Sequence, residues 1–168
     1  LGPTLTGTKF LVPVNDNVLV TASVRTELPL WRFPGHHCLA SVAVADGLVA
    51  YTAGPDCHMI RLEDGEEVLR YHLRGKGGLS FFPISGPAVH DDMAYFAKGN
   101  GKLYAFRVNT EKGELAWTAE LPSRVRSSIT VCGDWIYYGD DSGGVFARER
   151  KTGELAWSHK LPKGVAST

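Results

Sequence analysis

The five residues Gly113–Trp117, which read GELAW, recur unchanged at Gly153–Trp157, 40 positions later. Each copy leads after a short stretch into a Leu-Pro pair, at Leu121–Pro122 and Leu161–Pro162. Identical segments at a fixed spacing indicate an internal repeat, and a repeat has to be recognised before a fold class is assigned. The spacing therefore predicts one structural unit for roughly every 40 residues.

Upstream of each copy lies the pattern of a β-hairpin. Met93–Phe96 and Leu103–Ala105 form it in one unit, and Trp135–Tyr138 and Val145–Ala147 form it in the next. Aromatic and β-branched residues favour strands, and the glycine-bearing segments between them supply the positive φ angles that tight turns require. Each unit is therefore predicted to consist of strands joined by short turns.

Two weaker copies of the unit precede these. In the second unit Leu69 occupies the position of the repeated tryptophans, and in the first unit Trp31 does so. The middle hairpin of the first unit is expected to be shortened or missing. The predicted units span residues 1–35, 36–75, 76–122 and 123–162, and residues 163–168 begin a further one.

This organisation predicts an all-β chain, residues 1–168, that forms a single partial β-propeller of about four four-stranded antiparallel blades. A β-sandwich also has short strands at regular spacing. A sandwich does not, however, predict a recurring Gly-x-x-x-Trp at the period of a propeller blade. The propeller is therefore the favoured prediction.

The segment Ala147–Trp157 resembles the tryptophan-docking motif A-x-D-x-x-T-G-x-x-x-W of the PQQ-like (quinoprotein-type) β-propeller repeats, with Glu149 at the acidic position. The copy from Ala105 to Trp117 keeps the Ala, Gly and Trp but is two residues longer. The WD40 signatures are absent. The resemblance implies a structural role in joining neighbouring blades, and the residues it assigns to that role are Gly113, Trp117, Gly153, Trp157 and Trp31.

Propellers of this family usually have seven or eight blades, so the resemblance implies that about four blades form part of a larger ring. The partner of these blades could be the missing blades of the same ring or another protein. A homodimer could also close one ring from two halves. Alternatively, the final strand could complete the first blade and close a small ring. An open ring exposes strand edges and apolar faces, which favours contact with another protein.

Composition and charge exclude several classes of partner. The chain has 18 Lys and Arg against 18 Asp and Glu, so its formal net charge is zero. A nucleic acid or an anionic membrane surface is therefore not expected as a partner. No apolar run approaches the length of a membrane span.

Candidate metal ligands are few. His36 and His37 could bind a metal with His58 or Cys38, but neighbouring strand residues point to opposite faces, and a polar loop explains the pair. The segment Asp140–Gly143 is similar to a calcium loop, yet it lacks the remaining ligands and stands where a hairpin turn is expected. We therefore expect no metal site.

The three cysteines, Cys38, Cys57 and Cys132, leave at least one thiol outside any internal disulfide. A Cys38–Cys57 disulfide remains open, although two buried thiols are the favoured interpretation. No nucleophile, acid–base pair or phosphate-binding motif stands out, so no catalytic or cofactor-binding residue is assigned.

Three alternative functions are compatible with the resemblance and with the aromatic residues of the chain. The favoured one is a non-catalytic scaffold or protein-interaction module without a cofactor, as in the outer-membrane assembly lipoproteins and kinase-linked sensor domains of the group. The alternative is part of a quinoprotein dehydrogenase that oxidises alcohols or sugars with PQQ and calcium, although the vicinal Cys-Cys pair typical of its alcohol-oxidising members is missing here. A propeller that binds sugars or other small ligands is the third. By family analogy, a periplasmic location is favoured.

Overall fold

The computed structural model describes residues 4–6, 9–14, 18–23, 29–34, 42–73, 85–98, 101–125 and 127–162. These residues form sixteen β-strands in four separate four-stranded sheets, and no helix occurs among them. Strands pair with their neighbours in chain order, and every pairing is antiparallel. The predicted all-β architecture with four-stranded antiparallel blades is thereby confirmed.

The first two sheets account for the N-terminal half of the chain. Blade 1 contains β1 (Thr4–Thr6), β2 (Lys9–Val14), β3 (Val18–Ser23) and β4 (Pro29–Pro34). Blade 2 contains β5 (Ala43–Ala45), β6 (Leu48–Ala53), β7 (Asp56–Arg61) and β8 (Glu67–His72).

The other two sheets contain the repeated GELAW segments in their last strands. Blade 3 contains β9 (Ala88–His90), β10 (Met93–Lys98), β11 (Lys102–Val108) and β12 (Gly113–Glu120). Blade 4 contains β13 (Thr130–Cys132), β14 (Trp135–Gly139), β15 (Gly144–Glu149) and β16 (Leu155–Lys160). Residues 163–168, which we expect to begin a further blade, lie outside the described residues.

The first blade differs from its sequence-based expectation. Its middle hairpin is complete, since β2 and β3 pair along their full length from Lys9↔Ser23 to Val14↔Val18. The expectation of a shortened hairpin was therefore wrong. Pro13 lies inside β2 opposite Leu19, and a proline within an apolar run argues against a strand when only the sequence is considered.

The four sheets follow one another around a shared centre. The first strand of each blade contacts the first strand of the next, β1 with β5, β5 with β9 and β9 with β13. The fourth strands, β4, β8, β12 and β16, are consequently the outer strands. This arrangement of successive antiparallel sheets is that of a β-propeller.

The core lies between the blades. One apolar cluster joins blade 2 to blade 3 and includes Met59 and Phe106, and a second joins blade 3 to blade 4 and includes Tyr95 and Ile136. A third cluster beside Trp31 of blade 1 includes Tyr51 and Ile60 of blade 2. Strand β6 is buried along its whole length, because a middle blade is covered on both faces.

No helix among the described residues is long and apolar enough to cross a membrane.

Candidate functional site

The joint between blades 3 and 4 places the indole of Trp117 against the backbone of Gly153. A Cβ atom at Gly153 would lie 2.6 Å from Cε3 of Trp117, so no larger residue fits without displacing the ring. The Trp117 Nε1–H donates a hydrogen bond of 3.1 Å to the carbonyl oxygen of Arg150. Gly153 has a φ of +77°, a left-handed conformation that glycine adopts at little cost.

The other two joints have the same construction. A Cβ at Gly65 of blade 2 would lie 2.8 Å from Cδ2 of Trp31 in blade 1, and the Trp31 Nε1–H donates a 3.0 Å bond to the Leu62 carbonyl. Between blades 2 and 3, a Cβ at Gly113 would lie 3.0 Å from Cβ of Leu69. In each joint a large apolar side chain of one outer strand therefore contacts a glycine of the next blade. We call this arrangement a docking joint.

In blades 3 and 4, the turn that precedes the outer strand is held by an acceptor side chain four residues before the docking glycine. In blade 4, Glu149 accepts hydrogen bonds from the backbone N–H groups of Lys151 and Thr152, at 3.3 and 2.7 Å. Hydrogen bonding by the Thr152 side chain, together with these backbone bonds, holds the pKa of Glu149 below its ordinary value. In blade 3, Asn109 Oδ1 accepts from two backbone N–H groups of its turn in the same way. Asn109 thus occupies the position that the longer copy of the motif leaves undefined.

A polar contact also crosses the joint between blades 3 and 4. The buried Arg150 donates a 2.7 Å hydrogen bond through Nη2 to Asp91, which lies in the β9–β10 turn of blade 3. This bond holds the pKa of Asp91 below its ordinary value. The Tyr95 hydroxyl donates to the Arg150 carbonyl at 3.2 Å, and burial raises the pKa of Tyr95 to about 12. Sequence reasoning foresaw no contact between blades for Asp91, Tyr95 or Arg150.

One face of blade 4 corresponds to the face of blade 3 that packs against blade 4. No described residue covers this face of blade 4. We call it the open face, and the strand register places Trp135, Tyr137, Val145 and Trp157 on it, around the buried Ala147. Trp135 is 39% exposed and Trp157 is 47% exposed. At the same positions of blade 3, Met93 is 2% exposed and Trp117 is half-buried. The two tryptophans of blade 4 are therefore accessible, whereas the residues at the same positions of blade 3 pack against the neighbouring blade.

The open face has the chemistry of a docking surface. The rings of Tyr137 and Trp157 lie 6.2 Å apart in a tilted arrangement, which gives a continuous aromatic surface. Cys132 pairs with Trp135 in the register of β13 and β14, and its thiol is exposed. Exposed aromatic side chains that lie side by side are typical of interaction surfaces, because they lose contact with water on binding.

No three His, Cys, Asp or Glu side chains within the described ranges come close enough together to hold a metal ion. Asp140 Oδ1 accepts three hydrogen bonds, from the Ser142 backbone N–H and hydroxyl and from the Gly144 N–H, as a turn residue does. His36, His37 and Cys38 lie outside the described residues. The third thiol, that of Cys57, is buried and donates to the Tyr71 carbonyl at 3.6 Å.

His58, the remaining candidate ligand, belongs to a polar cluster on the blade 2 face that carries Tyr51. Its ring stacks on Tyr51 with centroids 5.0 Å apart, and its Nδ1 lies 2.7 Å from Glu67 Oε1. Burial lowers the pKa of His58 below its ordinary value of 6.5, and this outweighs the opposite effects of Glu67 and Asp56. Asp56 in turn accepts hydrogen bonds from Arg70 and His72, which hold its pKa low despite burial.

The lowered pKa of His58 predicts that the stability of the protein depends on pH. Because its pKa is lower in the folded state, the unfolded chain binds more protons as the pH falls below about 6.5. We expect the free energy of unfolding to decrease between pH 7.5 and pH 5, where Asp56 stays ionised. Urea titrations of wild type and His58→Gln across this pH range measure the free energy of unfolding and test this expectation. The variant should lose less stability on acidification, and equal pH dependence in both proteins would contradict the expectation.

Comparisons with known proteins agree with this architecture. Residues 11–168 match the family model described as outer membrane protein assembly factor BamB. BamB from Moraxella catarrhalis is similar with a TM-score of 0.73 and 20% identity, over 96% of this chain and 51% of that one. A europium-containing methanol dehydrogenase gives a TM-score of 0.77 at 14% identity, over 96% and 41% of the two chains. The computationally designed Ika8 protein gives 0.80 at 14% identity, over 98% and 50%.

The fold and its docking joints define a β-propeller built from PQQ-like repeats. The family match spans most of the sequence, and the chain therefore belongs to the BamB-like family of PQQ-like propellers. The likeness to solved structures at these low identities concerns the fold alone. The chain spans 41–51% of the length of these three structures. None of the curated proteins matches it in sequence.

Proposed function

We propose that this chain is a non-catalytic propeller unit that binds a protein surface through the open face of blade 4. The observation that carries the proposal is the exposure of Trp157 and Trp135, at positions that are covered in the preceding blade. Burying two tryptophans and a tyrosine removes a large apolar area from water, and aromatic anchors of this kind supply much of the energy of protein interfaces.

The family match supports a role in assembly. The matched family is described as outer membrane protein assembly factor BamB. This chain covers only 51% of the related BamB structure and 41% of the methanol dehydrogenase structure. A propeller unit of this kind acts as a rigid platform, and its partner is a further part of a ring or another protein.

The polar groups of the described blades also support a structural role. Glu149 and Asp140 accept hydrogen bonds from the backbone of their own turns, and Arg150 pairs with Asp91 across a joint. Side chains that are engaged in this way hold turns and joints in place. The polar residues of blades 3 and 4 therefore contribute to a scaffold.

Site-specific photo-crosslinking tests the proposal. p-Benzoylphenylalanine replaces Trp157 in one variant and Leu115 in a matched control, and the proteins are irradiated in cells of the source organism. Leu115 is 40% exposed, close to the 47% of Trp157, but it lies on the outer strand of blade 3, whose joint is already filled. We expect adducts at position 157 in much higher yield than at position 115. Peptide mapping reveals an adduct whether the partner is another protein or another part of the same polypeptide.

Two outcomes would contradict the proposal. Equal adduct yields at positions 157 and 115 would mean that the open face has no specific partner. A rise in melting temperature and quenching of tryptophan fluorescence on adding PQQ and calcium chloride to the purified protein would favour the dehydrogenase alternative instead.

A further inference from the structure

We infer that a pocket between blades 2 and 3 binds an organic cation, which is supplied by a basic side chain of a partner protein or by a free polyamine of the same chemistry. The site goes beyond the proposed function, because it lies at a different joint and includes no residue of the open face. Its volume is about 610 Å³, within the usual range of ligand pockets. Turns of both blades line it, namely Gly47, Arg61, Leu62 and Glu63 of blade 2 and Thr110 and Glu111 of blade 3.

The joint between blades 3 and 4 shows how a cation is held at the same kind of turn. There, Arg150 of the β15–β16 turn donates to Asp91 of the β9–β10 turn at 2.7 Å. Asp46 occupies the position of Asp91 in the β5–β6 turn, and both residues have a φ of +51°. The residue that reaches this turn from blade 3 is Thr110, whose methyl carbon lies 3.6 Å from a Cβ built at Gly47. An arginine thus spans one joint, whereas a short side chain leaves a pocket in the other.

The guanidinium of the pocket is already engaged within the chain. Arg61 is the only cation among the described residues that line the pocket. Its Nε donates to the Thr110 carbonyl at 3.2 Å, and its Nη1 and Nη2 donate to Asp64 and Glu66 at 3.1 and 2.6 Å. Since every nitrogen of Arg61 has an acceptor, the pocket does not offer this charge to an anion. The bond to Thr110 also joins the two blades, so the pocket is formed before a ligand binds.

Two carboxylates remain for a ligand. Glu63 and Glu111 are exposed, belong to turns of different blades, and make no side-chain hydrogen bond or ion pair with another described residue. They do not converge with a third ligating side chain of the described ranges in the way that a metal ion requires. Carboxylates on two sides of a pocket instead suit an extended cation with several N–H donors. Leu62 and the Thr110 methyl group offer apolar contact to its alkyl stem.

Titrations of the purified protein followed by NMR test the site. The probes are acetyl-arginine amide for a basic side chain, spermidine for a polyamine, and acetyl-citrulline amide as a neutral isostere of the first. We expect the cations to shift the amide resonances of Gly47, Leu62 and Thr110, and the citrulline compound to bind at least about tenfold more weakly. Tighter binding of acetyl-arginine amide than of spermidine assigns the ligand to a partner protein, and the reverse order assigns it to a polyamine. Either order supports the inference.

Substitution of the two carboxylates isolates their contribution. Glu63→Gln/Glu111→Gln removes both charges at exposed positions, so it should fold as wild type does and raise the Kd for the preferred cation at least about fivefold. Glu114→Gln/Glu154→Gln makes the same chemical change at two exposed positions outside the pocket and should bind like wild type. Raising sodium chloride from about 0.1 M to about 1 M should weaken binding to wild type, because the Debye length falls from about 10 Å to about 3 Å.

Thr110→Arg provides a second, independent variant. It supplies a guanidinium from within the chain, as Arg150 does in the next joint, and should weaken binding of the preferred cation at least about tenfold without lowering the melting temperature. The inference is overturned if neither cation shifts the three resonances, if the citrulline compound binds as tightly as the arginine compound, or if either pocket variant binds like wild type. Crosslinking at position 157 decides the proposed function separately, because no pocket residue belongs to the open face.

Discussion

Replacing Trp117 by alanine is expected to lower the free energy of unfolding by about 3 kcal/mol, whereas replacing Trp157 by alanine lowers it by less than about 1 kcal/mol. The two residues occupy the same position of an identical five-residue repeat. Trp117 packs against the core between blades 3 and 4 and donates to the Arg150 carbonyl at 3.1 Å. Trp157 is 47% exposed and its ring contacts Tyr137 of its own blade. The estimate for Trp117 is at the low end for a tryptophan because its ring is half-buried.

Urea denaturation followed by circular dichroism measures both variants. The comparison is matched, since residue type, strand position and preceding sequence are the same, and the difference reports the docking joint alone. Equal slopes with urea are required before midpoints are compared, because a change in slope indicates an altered unfolded or native state. Similar losses in both variants would mean that Trp157 is already covered, and the open face would then not be a docking surface.

The joint at Gly153 could be predicted from the sequence because its signal is local and repeated. Gly113–Trp117 and Gly153–Trp157 show a glycine and a tryptophan at a constant spacing, and the alternation of apolar residues around them is that of strands. Identical local sequence in two units produces the same local structure, so the hairpins and the outer strands of blades 3 and 4 followed directly. Leu69 was placed at the docking position by the same register.

What the sequence did not reveal depends on contacts between distant residues. Asp91 and Arg150 are 59 positions apart and meet only because two blades pack face to face. In a single sequence, Asp91 resembles any other turn residue. The open face was foreseen only in general terms, as an exposed edge, because the exposure of Trp157 depends on what the neighbouring blade covers and not on its own residue type.

The first blade contains a strand that one residue of its sequence argued against. β2 contains Pro13, which lacks a backbone N–H, yet it pairs with β3 over its whole length. Local propensity counted against this hairpin, and the packing of four strands in each blade outweighed it. The same blade carries Glu27 where the other blades carry glycine, so the weakest copy of the repeat is also the one that departs from the docking pattern.

Replacing Gly153 by alanine is expected to lower the free energy of unfolding by about 3 kcal/mol, while Gly133→Ala lowers it by about 1 kcal/mol. Both glycines have a positive φ, +77° at Gly153 and +57° at Gly133, so both variants incur the strain of an L-residue in the left-handed region. At Gly153 the new Cβ would also lie 2.6 Å from the Trp117 ring, whereas at Gly133 it would meet nothing within 4 Å.

The difference between these two variants, about 2 kcal/mol, therefore measures the steric requirement of the docking joint after the backbone term has been subtracted. A double-mutant cycle with Trp117→Ala sharpens the test, since removing the indole leaves space for the new Cβ. In that background Gly153→Ala should cost about as much as Gly133→Ala, because only the left-handed φ remains unfavourable. If the two alanine variants are equally unstable in the wild-type background, Gly153 is required only for the backbone conformation of its turn. The close approach of tryptophan and glycine would then not be the contact that holds neighbouring blades together.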